Sequence, residues 1–223
     1  MVQRKLTFME GQYYHIFNRG VDKRKIFLSK GDLYHFLDSL TIMNNEGVYA
    51  DRHQKWRKQL KEKLKIDKKP LVSIVAYALL PNHFHLIVTP VIDGGVSKFI
   101  QRLSASHTRF FNEKYERSGS LFQGRFKAVE LSQFVPVEFM SVYVNLNYKF
   151  HGINPSKSLV KTSLFEYMGT EKDDIICDPH ETKKIIEGIG GVEEYKKYLK
   201  IQSEYFAQQK NIDIDALCFE ELG

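Results

Sequence analysis

Residues 71–90 read LVSIVAYALLPNHFHLIVTP, and this stretch decides the fold. Two apolar, β-prone runs flank a turn-forming segment, Leu80-Pro81-Asn82, which predicts an antiparallel hairpin. Because side chains alternate across a strand, His83 and His85 share one face of the second strand. The other face turns towards the core and carries apolar side chains: Phe84, Leu86 and Val88.

Further strands and helices are predicted on both sides of this hairpin. Upstream, the aromatic run 12–19 (QYYHIFNR) favours a strand, and Ser29 is a suitable N-cap for a helix that extends to about residue 44. Downstream, helical periodicity extends over residues 96–116. Residues 121–123 and 126–131 flank a Gly-Arg turn, which indicates another short hairpin or paired strand.

A late helix is predicted to begin near Ser132, a candidate cap, with Pro136 in its first turn. It extends to about Phe150, and Gly152 suits its C-terminal stop. One more helix is expected over residues 193–209. This order of strands and helices indicates the α+β class: a ferredoxin-like sandwich with a central antiparallel sheet, helices packed on it, and a helical C-terminal tail.

Charge divides the chain into two parts. Residues 1–155 hold 24 Lys and Arg against 13 Asp and Glu, a net +11, and residues 156–223 hold 9 against 14, a net −5. We therefore expect a basic catalytic domain over 1–155 and an acidic, mostly helical extension over 156–223. A basic insertion lies at about 51–69. A basic surface attracts polyanions, although a generic solvated surface has the same composition.

Other sequence features narrow the class of protein. The chain has no run of about eighteen apolar residues, so we expect no membrane association. The first eleven residues lack the apolar stretch of a signal peptide. Cys177 and Cys218 lack the spacing of a zinc site or a disulfide framework, so we expect a reducing cytoplasm.

Two groups of residues are candidates for metal binding or catalysis. His83 and His85 on one strand face are suited to bind a divalent metal, but they would equally suit a solvated face or hydrogen bonds beneath the helices. Tyr143 and Asn147 are four residues apart, on one side of the late helix. The alternative is a tyrosine at the core edge and a surface asparagine. Together the two groups would supply a nucleophile and a metal site of two imidazoles and one amide oxygen, which suits Mg²⁺ or Mn²⁺ better than a closed zinc site.

These residues lie in motifs that resemble a known family. The chain resembles the single-tyrosine transposases of the HUH endonuclease superfamily, particularly the REP-associated tyrosine transposases. The resemblance is carried by LLPNHFHLIV (79–88), YVNLN (143–147) followed by His151-Gly152, YYHIFNRG (13–20), RSGSLFQGRFK (117–127) and SLFEYMG (163–169).

The resemblance implies a fold, a reaction and a substrate. The fold is ferredoxin-like, and the metal is held by His83, His85 and Asn147. Tyr143 attacks a phosphodiester of single-stranded DNA beside a hairpin, leaving a 5′-phosphotyrosine and a free 3′-hydroxyl. Family members include dimers and forms that act alone, so a homodimer stays open. DNA contacts are expected from basic residues: Arg19, Lys23, Arg24, Arg117, Arg125 and Lys127.

Two departures from the family pattern leave the local geometry open. Tyr148 stands where a proline is frequent, and Asn145 stands where a histidine is frequent. Two other functions also stay open: a hairpin-binding module that no longer cleaves, and a metal-dependent phosphodiesterase that uses activated water. Tyr148 is a weaker nucleophile candidate because no suitable partner lies four residues later.

Three further side chains, one imidazole and two aromatic rings, are expected to be structural, with DNA contact as the alternative. His15 is expected to be structural, with phosphate or base contact as the alternative. Phe122 and Tyr115 are expected to pack in the core, with stacking on unpaired bases as the alternative.

Overall fold

A computed structural model describes residues 6–48, 69–132, 135–171 and 175–208. It contains the predicted succession of two strand–helix–strand units. The elements are β1 (Tyr13–Arg19), α1 (Lys30–Ile42), β2 (Val72–Leu80), β3 (His83–Pro90), α2 (Gly95–Lys114) and β4 (Lys127–Leu131). Except for Lys69, the predicted basic insertion lies outside the described residues.

The strands form one antiparallel sheet in the order β4-β1-β3-β2-β5, where β5 is a short strand (Lys161–Thr162) at the outer edge of β2. The predicted hairpin is confirmed, because Leu80 pairs with His83 across the turn Pro81-Asn82. The α+β class and the central antiparallel sheet are likewise confirmed. Of the two alternatives predicted for residues 121–131, the structure contains the paired strand and not the hairpin: β4 pairs with β1, and Phe122 makes an isolated bridge to Gly20.

One face of the sheet is covered by α1 and α2. The buried side chains of this face alternate along the strands, as in Phe84 and Leu86. They pack against apolar residues of both helices: Phe36, Leu40, Phe99, Ile100 and Leu103. Ser29 caps α1 as predicted, because its hydroxyl accepts the Asp32 N–H while the Asp32 carboxylate accepts the Ser29 N–H.

The opposite face is covered by the late helices: α3 (Val137–Asn145), α4 (Asn147–Phe150), α5 (Leu164–Tyr167), α6 (Pro179–Gly188) and α7 (Val192–Gln208). Its buried core includes residues from both sides of position 155, among them Val142, Ile185 and Phe206. The basic and acidic segments therefore share this core. The domain boundary at residue 155 stays a prediction. None of the helices in the described residues is long and apolar enough to cross a membrane.

The late helix differs from its prediction in two ways. It is interrupted at Leu146, which has φ −105° and ψ 7°, so that α3 and α4 are separate helices. Asparagines on both sides of Leu146 face groups outside the helix: Asn145 accepts a hydrogen bond from Ser163, and Oδ1 of Asn147 lies 3.3 Å from His83. The late helix also begins at Val137, directly after Pro136, and not near Ser132, and its exposed Phe139 contacts the ring of Tyr198 on α7.

Candidate functional site

His83 and His85 lie on the sheet face that the late helices cover. The antiparallel register places Arg19 directly opposite His83 and Phe17 directly opposite His85. Opposite residues of an antiparallel pair point to the same side, so this face brings two buried imidazoles next to a cationic side chain at the strand end. Both histidines are almost completely buried.

The first imidazole has a defined tautomer. The Nδ1 atom of His83 lies 2.7 Å from Oδ1 of Asn82, an acceptor, so Nδ1 carries the proton and donates it. Burial lowers the pKa of His83 to about 3, which keeps the ring neutral at pH 7. Its Nε2 atom therefore presents a lone pair towards Oδ1 of Asn147, 3.3 Å away. Two acceptors facing each other at this distance are stabilised when a cation binds between them.

The second imidazole is held by a histidine on the neighbouring strand. The Nε2 atom of His15 lies 2.8 Å from Nδ1 of His85, and the two rings stack. Burial lowers the pKa of His15 to about 4 and the pKa of His85 well below its usual range, so both rings are neutral. When His85 donates this shared proton, its Nε2 atom keeps a lone pair for a metal. His15 is thus structural, as predicted, and it also orients a candidate ligand.

Two buried polar atoms at this site have no hydrogen-bond partner among the described residues: Nε2 of His85 and Nδ2 of Asn147. Buried polar groups are nearly always paired, because an unpaired one costs about 1–3 kcal/mol. The three predicted metal-ligating residues thus converge, and their donor atoms fit a divalent cation. A third histidine, His151, also offers a ring nitrogen within 4.8 Å of those of His83 and His85. In the sequence, His151 stands out only as part of the motif that follows YVNLN.

Tyr143 lies beside the imidazoles. Its ring centroid is 6.2 Å from that of His85 and 6.3 Å from that of His15, in both cases edge to face. α3 carries Tyr143 over the sheet, and its phenol is only partly buried. On its other side, its ring meets Phe206 of α7 at 6.0 Å. Tyr148 makes no ring contact with the site histidines among the described residues, and burial raises its pKa.

The predicted DNA-contacting residues fall into two groups. Arg19 and Lys127 lie on the site face, since Lys127 pairs with Phe17 on β1. Arg125, Lys23 and Arg24 are exposed nearby, on the Gly124 turn and in the segment that follows β1. Arg117 is engaged within the protein, where its guanidinium donates to the side-chain oxygen of Asn112 and, at 2.9 Å, to the backbone oxygen of Ser120.

A buried polar network holds α3, the helix that carries Tyr143, in place. Asn145 accepts a hydrogen bond from Ser163 at 2.7 Å and donates one to the Tyr195 hydroxyl at 3.0 Å. Ser141 lies 3.0 Å from that hydroxyl. Asn145, the departure from the family pattern, therefore has a structural role of its own. Phe122 is buried, and the hydroxyl of Tyr115 donates to Asp32, so both pack as predicted.

Comparisons with known proteins find one matching family and a similar solved structure. Residues 41–147, just under half of the chain, match the family described as "Transposase IS200 like". A solved structure described as "Structure of the REP associates tyrosine transposase bound to a REP hairpin" is similar at 17% identity, with 80% of this chain and 93% of that chain covered and a TM-score of 0.49. A search of curated proteins gives no match.

The class of protein that the family match indicates is transposase-like. Segment 41–147 is similar to the IS200-like transposases, a family of DNA-processing enzymes, and this segment contains His83, His85, Tyr143 and Asn147.

Proposed function

We propose that the protein cleaves and rejoins single-stranded DNA through a covalent link to Tyr143, assisted by a divalent metal at His83, His85 and Asn147. The observation that carries this proposal is the convergence of a phenol with two neutral, buried imidazoles and an amide oxygen on one sheet face. The IS200-like family of segment 41–147 supports it independently.

The metal site would be formed by lone pairs that the fold already directs to one point. Asn82 and His15 orient the two imidazoles through their Nδ1 atoms, which leaves Nε2 of each ring for the metal. Bound Mg²⁺ or Mn²⁺ would supply Lewis-acid polarisation of the scissile phosphate. The low pKa values of the imidazoles mean that no proton must first be displaced from them at neutral pH.

The chemical step would be a transesterification. The oxygen of Tyr143 attacks the phosphorus, the bond from phosphorus to the 3′ oxygen breaks, and a 5′-phosphotyrosine forms. The phenol gives its proton to solvent, and the departing 3′ oxygen takes up a proton. No ester bond is lost overall, so attack by a 3′-hydroxyl on the phosphotyrosine reverses the step.

The substrate would be single-stranded DNA next to a hairpin, as the sequence resemblance implies. Arg19 and Lys127 would contact the phosphate backbone at the site. Arg125 would extend the basic surface that these two residues form. Such contacts supply affinity and register but little sequence information.

A covalent adduct tests this proposal. The full chain is mixed with hairpin-bearing single-stranded DNA and Mn²⁺ or Mg²⁺, and the products are separated on a denaturing gel. We expect a protein–DNA band that Tyr143→Phe abolishes and that the matched variant Tyr148→Phe retains. Hairpin binding by Tyr143→Phe, measured by fluorescence anisotropy, should match that of the unmodified protein.

Two results would favour the other functions. Hairpin binding without an adduct at any metal concentration would indicate a module that binds and does not cleave. Cleavage that persists in Tyr143→Phe would indicate a phosphodiesterase that uses activated water. Either result would contradict the role proposed for Tyr143.

We further propose that the nucleophile acts in cis, because Tyr143 lies over the histidines of its own chain and α7 packs on α3. Mixing inactive Tyr143→Phe with inactive His83→Ala tests this arrangement. If Tyr143 acts in cis, the mixture should form no adduct. Restored adduct formation would show that one protomer's tyrosine serves its partner's metal site.

A further inference from the structure

His151 occupies the end of α4, one turn beyond Asn147. Its N–H donates to the Asn147 carbonyl at 3.2 Å, and Gly152 follows with φ +62°, which ends the helix. Positions four residues apart lie on one side of a helix, so Asn147 and His151 face the same way. The ring of His151 meets the ring of His83 edge to face at 4.6 Å.

The donor atoms lie at a spacing that fits a single ion. One ring nitrogen each of His83, His85 and His151 lies within 4.8 Å of the other two. Donors about 2.1 Å from one metal are roughly 3 Å apart when adjacent and about 4.2 Å apart when opposite. Closing this cluster around one ion therefore needs movements of at most about 1 Å for each ring. A second observation points to a ligand, since the buried Nε2 of His85 has no partner among the described residues.

We propose that His151 is a fourth protein ligand of the metal site, resting on the function proposed above. The site then presents three imidazole nitrogens and the Asn147 oxygen, and it takes a later transition-metal ion such as Co²⁺ or Zn²⁺ in preference to Mg²⁺. The match to the IS200-like family ends at residue 147, so His151 lies outside it.

The preference for a transition metal follows from the donor set. Mg²⁺ prefers oxygen ligands and retains several waters, whereas imidazole nitrogen suits the later divalent ions. Two imidazoles and one amide oxygen leave several coordination positions for water and phosphate oxygens. A third imidazole replaces one of those positions with nitrogen, which raises affinity for the later ions and adds little for Mg²⁺. His151 is half-buried at the mouth of the site, so its ring can close on the ion without repacking the core.

Metal binding without DNA tests this proposal. Isothermal titration of the full chain with Co²⁺, Mn²⁺ and Mg²⁺ compares the unmodified protein with His151→Ala. His180→Ala is the matched control, because that imidazole is 85% exposed on α6. We expect His151→Ala to weaken Co²⁺ binding by about tenfold or more, to weaken Mn²⁺ binding by less, and to change Mg²⁺ binding by less than about twofold. Pulsed EPR of bound Mn²⁺ should count three coupled imidazole nitrogens, and two in the variant.

The outcomes separate this inference from the proposed function. If His83→Ala abolishes metal binding and His151→Ala behaves like His180→Ala, the site stands but His151 is not a ligand. If His83→Ala binds metal with the affinity of the unmodified protein, the proposed metal site itself is wrong. Thermal melts of the metal-free proteins check the fold, and His151→Gln provides a second variant that keeps side-chain volume and polarity.

Discussion

Removal of one hydroxyl, in Tyr195→Phe, tests how the C-terminal segment holds α3, the helix that carries Tyr143. Ser141 has a single proton, which it donates to the Glu138 carbonyl at 2.6 Å. The Tyr195 hydroxyl must therefore donate to Ser141, and it accepts the proton of Asn145. Tyr195 is completely buried, so no water replaces these bonds when the hydroxyl is removed.

The expected loss follows from these two hydrogen bonds. A buried amide N–H left without an acceptor costs about 1–3 kcal/mol, and the Asn145 oxygen keeps its bond to Ser163. For a chain of this size each kcal/mol shifts the melting temperature by about 2–4 °C, so Tyr195→Phe should melt about 2–12 °C lower. The matched variant Tyr205→Phe lies on the same helix, is 51% exposed, and should change stability by less than about 0.5 kcal/mol.

Chemical denaturation with a double-mutant cycle isolates the pair. Asn145→Ala should cost less in the Tyr195→Phe background than in the unmodified protein, with a coupling of at least about 0.5 kcal/mol. Equal costs in both backgrounds would refute the hydrogen bond between the two side chains. Indistinguishable melting temperatures for Tyr195→Phe and Tyr205→Phe would refute the role of the hydroxyl altogether.

Three other perturbations have defined outcomes. His15→Ala should weaken metal binding about 10–100-fold in calorimetry with little change in fold, and unchanged affinity would show that His15 does not orient His85. Arg125→Ala should reduce the salt dependence of hairpin binding by about one phosphate contact, whereas exposed Lys183→Ala on α6 should leave it unchanged; equal effects would show that Arg125 is not at the interface. Phe206→Ala should destabilise the protein by about 3–5 kcal/mol in chemical denaturation, and a loss below about 0.5 kcal/mol would show that α7 does not pack on the helix of Tyr143.

Much of the sheet could be predicted because its signals are local. The hairpin of β2 and β3 follows from alternating apolar residues and a Pro-Asn turn, and α1 follows from Ser29 and its capping box. The irregularity of β2 at Ile74–Ala76 has no comparable local signal. It places Val75 and Ala76 in the same core, which only the pairing with β3 determines.

The candidate site was predictable in part for the same reason. His83 and His85 share a strand face through simple alternation, and Tyr143 and Asn147 share a helix side through simple periodicity. Contacts between distant segments were not predictable: the bond from His15 to His85 joins residues 70 positions apart, and the bond from Asn145 to Tyr195 joins residues 50 apart. His151 was missed as a metal-ligating candidate because α4 brings it to the histidines only after the chain turns at Leu146.

Departures from local folding rules are concentrated on one face of the sheet. On the face under α1 and α2 the strands carry apolar side chains, and the buried imidazoles His35 and His107 belong to the helices. On the opposite face the strands themselves carry buried imidazoles beside an interrupted helix, and Nε2 of His85 and Nδ2 of Asn147 have no hydrogen-bond partner among the described residues. Each of these features costs free energy in the metal-free protein. They occur together where Tyr143 approaches His85, and the polar network of Asn145 holds them there. Folds usually violate their own rules at functional sites, so this clustering supports the assignment of the site independently of any motif.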